Sequence, residues 1–184
     1  MNIKKIFTIL ILSLFGILQV VADERADQLN KLFNQLKIDN STLTSEIEQK
    51  IWKIWSTHPK KNNLTLMLSK GSNLVNNDQL IKAVNVFTEV INLDPSWAEA
   101  WNKRATVFYL LGEFEKSQND IDKVLELEER HFGALAGQGL VNIKLKNYEK
   151  AILSYEKAQK IYPSMKSPKI MIKEIEKLIK KQSI

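Results

Sequence analysis

No cysteine occurs in the 184 residues, which excludes disulfides, thiolate zinc sites and a nucleophilic thiol. Histidine is almost as scarce. His58 sits in a loop beside Pro59 and His131 at the start of a helical stretch, with no HExxH pattern around either. The six glycines form neither a phosphate-binding loop nor a nucleophile elbow. Acidic residues such as Asp120 near Lys123 and Glu149 beside Lys150 read as ordinary helix-surface charge. The expectation is therefore no enzyme, no cofactor and no metal. Arginine is rare too: of 27 cationic residues only Arg25, Arg104 and Arg130 are arginine, so the net charge of +6 is a lysine charge dispersed among 21 acids. Bidentate phosphate and base contacts favour arginine, which argues against a nucleic-acid partner.

Long apolar runs are missing except at the start. Lys4 and Lys5 precede an apolar run from Ile6 to Leu18 and a cleavage-like Val20-Val21-Ala22, the three parts of a secretory signal. Even carried to Val21 the run is 16 residues and includes Thr8, Ser13 and Gln19, short of the roughly 20 that span a bilayer. Residues 1–22 are expected to be a signal peptide cleaved after Ala22, with retention as an anchor the alternative. A lipoprotein anchor is excluded by the missing cysteine. The expected destination is the periplasm if the source is bacterial.

Over all 184 residues the chain has 44% apolar and 26% charged residues, enough for a folded domain. It is organised by a repeat. Trp101 and Leu135 are 34 residues apart, as are Ala105 and Gly139, Phe114 and Tyr148, Ser117 and Ala151, Ile121 and Tyr155, and Val124 and Ala158. One period earlier stand Met67, Gly71, Leu80, Ala83, Phe87, Val90 and Pro95. A period of this length marks helical units that bury their apolar faces only by stacking.

The residue types resemble the tetratricopeptide (TPR) repeat. The copy with Leu135, Gly139, Tyr148, Ala151, Tyr155, Ala158 and Pro163 matches best, and the middle copy departs at Ser117, Val124 and Glu129. The resemblance implies an all-α fold: a right-handed superhelix of antiparallel helix pairs, three repeats over 64–97, 98–131 and 132–165. Gly71 and Gly139 are expected where a neighbouring helix leaves no room for a side chain; Gly137 has no evident packing reason.

Residues 23–63 are expected to form a helical hairpin, either a degenerate repeat or a cap on the apolar end of the array. Leu29, Leu32, Phe33 and Leu36 make one stripe. A turn follows at Asp39, Asn40 and Ser41. Ser45 and Glu48 have capping-box spacing before the second helix, whose Trp52 and Trp55 are the expected docking residues. Ser96 and Glu99 have the same spacing at the second repeat. Residues 166–184 read as a C-terminal capping helix opened by Ser167-Pro168, with Met171, Ile172, Ile175, Leu178 and Ile179 on one side and lysines on the others.

The resemblance places a concave groove along the first helix of each pair. Its expected lining is Leu68, Ser72 and Asn76, then Asn102, Thr106, Tyr109 and Leu110, then Ala136, Leu140, Ile143 and Lys144. Leu68 and Ala136 stand where the family's carboxylate clamp would put cations, which argues against an acidic-tail ligand. The implied partner is a protein or peptide with apolar anchors. Part of the lining is alternatively covered by the protein's own N-terminal helix. Trp97, at the junction between repeats, either packs between units or is offered to a partner. The function implied is a non-catalytic adaptor of the cell envelope. The alternatives are self-assembly through the end helices and membrane-surface contact through the lysine-rich C-terminal helix.

Overall fold

The computed structural model describes residues 24–38 and 41–182, and among these the regular structure is helical throughout. The signal-like segment, Asp39 and Asn40 of the expected turn, and the last two residues lie outside the described residues. The helices are α1 (24–36), α2 (Ser41–Ser56), α3 (Asn62–Asn76), α4 (Leu80–Leu93), α5 (Ala98–Leu110), α6 (Phe114–Leu127), α7 (Phe132–Lys144), α8 (Tyr148–Ile161) and α9 (Lys166–Gln182). Helices α3 to α8 pack as three consecutive antiparallel pairs, each joined to the next, with α9 against the last.

Each pair turns in the same way. Asp78, Gly112 and Lys146, at equivalent repeat positions, adopt left-handed backbone with φ of 56°, 78° and 59°. One residue on, Gln79, Glu113 and Asn147 each donate an N–H to a carbonyl five residues back, at 2.8, 2.9 and 2.8 Å. That closure satisfies carbonyls orphaned at the first helix's end. Only the middle copy uses glycine, the residue with no penalty there.

Inside each pair a small residue meets a large one. A Cβ built on Gly71 would lie 2.4 Å from the Phe87 ring, and one on Gly139 would lie 2.5 Å from the Tyr155 ring. The middle pair packs Ala105 with Ile121 instead. Between pairs, a polar side chain on the first helix bridges the second helices on either side of it. Arg104 donates to Thr88 Oγ1 at 3.0 Å and to both oxygens of Asp120 at 2.8 Å. One period later Gln138 donates to Asp122 at 3.3 Å and accepts from Ser154 at 3.0 Å.

The two ends differ. Ala100 and Val107, like Ala134 and Val141 one period on, are buried. Their counterparts in the first pair, Leu66 and Asn73, are exposed. At the other end Ile175 is buried, with Met171, Ile172 and Ile179 packed around it against Ala151 and Tyr155. Lys169 and Lys173, which replace the inward Leu135 and Gly139 of the preceding repeat, are exposed. The helix is thus wet on the side where a further partner helix would sit. It begins at Lys166, one residue before the expected capping serine.

The N-terminal hairpin departs from its expected place. Trp52 and Trp55 are indeed its docking residues, but their partners are Phe132 and His131, at the opening of the third pair. The core formed by Leu29, Leu32, Phe33, Leu36, Ile47, Ile51 and Trp55 continues into Phe132 and Tyr162. The first pair's outer face is polar enough at Lys70 and Asn73 to stand in water, so the hairpin covers the loop edge of the array and not its end.

Candidate functional site

Helix α2 crosses the array at the points where one pair passes to the next. At the first junction the Trp97 indole donates to the Trp55 carbonyl at 2.8 Å, and His58, following α2, bonds Asp94 at 2.8 Å. At the second, the His131 ring stacks on Trp55 with centroids 4.0 Å apart, and Trp52 lies over Gly133, where a Cβ would come within 2.6 Å of it. At the third, the Tyr162 hydroxyl donates to Glu48 at 3.0 Å. Trp97 is 6% exposed, so the packing alternative holds for it.

Both histidines are joints of this seam. The His131 Nδ1 accepts the Ala134 N–H at 3.0 Å and caps α7, and its Nε2 meets Glu99 Oε2 at 3.1 Å. The His58 Nδ1 accepts the N–H groups of Lys60 and Lys61. Glu99 is 1% exposed. It also accepts from Asn102 at 3.0 Å, with Lys103 Nζ 3.2 Å from its other oxygen. Burial pushes the Glu99 carboxyl up, but the hydrogen bond from His131 and the charges of His131 and Lys103 outweigh it and hold the group below the usual carboxylate range. Neither expected capping box forms. Trp97 precedes α5 with no side-chain cap and Ser96 bonds Asp94, while α2 starts four residues before Ser45 and Glu48 bonds Trp52 and Tyr162.

This seam takes part of the expected groove. The N-terminal halves of α5 and α7 carry Glu99, Lys103 and Gly133, all in contact with α2 or its ion pairs. The covering segment is therefore α2, not the first helix of the hairpin. Among the expected lining residues, Leu68 is 2% exposed in the core between α3, α4 and α5 and offers no surface. Asn102 is buried by its bond to Glu99. Ala136 and Ile143 pack toward the α9 cluster and are half-buried. Leu68, Asn102 and Ala136 occupy one register of the 34-residue repeat. Asn76, Thr106, Leu110, Leu140 and Lys144 are exposed, and Ser72 and Tyr109 are half-buried. Between α5 and α7 a slot of about 80 Å³ opens, lined by Asn102, Thr106, Tyr109, Gly137, Leu140 and Val141 among others. Sequence spacing gave no sign of Glu99 and His131 as a buried pair, since they lie 32 residues apart.

Among the described residues no group of three metal-capable side chains comes together, and no helix is long and apolar enough to cross a membrane. The tetratricopeptide-repeat model matches residues 98–131 and 133–165. A TPR repeat-containing protein of Rhizobium etli is 31% identical over 138 residues, covering 74% of this chain and 67% of that protein. The chain belongs to the tetratricopeptide-repeat family. The TPR fold extends to solved structures: the Arabidopsis OM64 TPR domain superposes with a TM-score of 0.61 at 27% identity, covering 62% of this chain and 95% of that one. The Hsp70-Hsp90 organizing protein 1 of Glycine max is 28% identical over 95 residues, which are 52% of this TPR chain but 17% of that protein.

Proposed function

We propose that this TPR protein is a non-catalytic adaptor of the cell envelope that holds a protein or peptide in the strip of groove left open beside α2. The observation that carries the reading is the division of the concave side. Glu99 and Lys103 pair with each other, while Thr106, Leu110, Leu140 and Lys144 are exposed and Tyr109 is half-buried. A rigid stack presenting such side chains leaves most of the ordering cost to the ligand. The similarity to an organizing protein named for Hsp70 and Hsp90 supports a protein partner. The lack of free cations at Leu68, Ala136 and Lys103 points away from an acidic tail. The envelope location rests on the signal-like pattern of residues 1–22.

The test places a photo-crosslinking amino acid at Leu110 or at Leu153, which is exposed on α8, in the source cell. The reading predicts a discrete adduct in the envelope fraction from Leu110 and none from Leu153. Equal adducts from both positions contradict it. N-terminal sequencing of the purified protein is expected to start at Asp23; an intact Met1 would overturn the cleavage.

A further inference from the structure

We propose, resting on the groove reading above, that the slot between α5 and α7 receives one aliphatic side chain of leucine or methionine size from an extended segment of the partner protein. The slot exists because residue 137 is glycine. A Cβ there would meet only Ile121 Cδ1, at 3.7 Å. Gly71 and Gly139 are needed by the aromatic rings against them, but Gly137 has no such neighbour. A glycine inside a helix is unfavourable, and here nothing in the free protein compensates for it. The repeat equivalents one and two periods back are Lys103 and Ser69, so the opening belongs to this one junction.

The chemistry of the walls selects the guest. Ala105, Ile121, Leu140 and Val141 give an apolar floor, and no charged side chain is among the lining residues. An ionised anchor would be stranded there, since a buried charge without a partner is strongly disfavoured. The volume of about 80 Å³ is several times the roughly 10 to 15 Å³ that admits one water, which leaves room for one aliphatic side chain. Polar atoms in the lining suit an extended backbone. Asn102 donates its Nδ2 to Glu99 and keeps Oδ1 as an acceptor. Thr106 donates its hydroxyl proton to the Asn102 carbonyl and keeps its own acceptor lone pairs. One end of the slot is Gly133, on which Trp52 rests. The slot is therefore continuous with the α2 seam, which fixes where a ligand must stop, and exposed Leu140 stands among its walls.

The experiment titrates ¹⁵N-labelled full chain with acetylated, amidated pentapeptides that carry leucine, alanine or glutamate between alanines. The leucine peptide is expected to shift the amide signals of Thr106, Gly137 and Leu140 and to bind at least about tenfold tighter than the other two. Gly137→Leu fills the slot and is expected to remove that preference with the melting temperature unchanged or higher; Gly137→Ala narrows it and weakens the preference. Equal responses to the three peptides, or a preference that survives in Gly137→Leu, would overturn the proposal, as would shifts that follow protein concentration alone and so report a second copy. If the Leu110 crosslink persists while the leucine preference is absent, the slot fails and the groove stands. Loss of both removes the groove reading as well.

Discussion

Gly137 and Gly139 lie two residues apart in one helix and have opposite roles. At Gly139 an added methyl collides with the Tyr155 ring at 2.5 Å, and overpacking of this kind costs about 1 to 3 kcal/mol. Gly139→Ala is therefore expected to lower stability by about 1 to 2 kcal/mol in denaturant titration, despite better helix propensity. Gly137→Ala meets no obstacle and is expected to raise it by up to about 1 kcal/mol. The repeat period showed why residue 139 is small, because its partner lies at a fixed offset. It was silent on residue 137, whose meaning depends on space between units. Tyr155 adds a second contrast. Its hydroxyl is buried with no hydrogen-bond partner, and burial, with a smaller contribution from Tyr109, pushes its ionisation far above the ordinary range. Tyr155→Phe removes an unsatisfied group and is expected to be neutral or stabilising by about 1 kcal/mol.

Helix α2 was recognisable as a helix and its tryptophans as anchors, but its destination was not. Glu48 and Glu99 occupy capping-box spacing in the chain, yet their partners are Tyr162, 114 residues away, and His131, 32 residues away. Local pattern contains no record of such distant contacts, and tertiary demand overrode the cap. The seam is expected to be acid-sensitive. Glu99 and Asp94 both titrate below their ordinary values in the folded chain, so their contribution is complete above about pH 4.5 and disappears as pH falls through the lower folded values. A pH series of melting temperatures should drop there, and Glu99→Gln should flatten the drop while lowering stability at neutral pH. The turn between α7 and α8 offers an independent check. Lys146 holds left-handed backbone that glycine adopts freely, and Lys146→Gly should stabilise by about 1 kcal/mol.

Across the whole molecule the three stacked pairs and the C-terminal helix followed from periodicity and amphipathic pattern, because each depends on contacts one period away. What the hairpin does to them did not follow. By touching the junctions at Trp97, His131 and Tyr162, α2 links all three and gives the groove a closed side. Hydrogen exchange on the Trp52→Ala/Trp55→Ala variant measures this directly. Bracing predicts that amides at all three junctions, near residues 97–102, 131–136 and 162–166, lose protection together while the α3–α4 pair keeps its own. Loss confined to α3 and α4 would show the hairpin to be a cap on the first unit and would contradict the account.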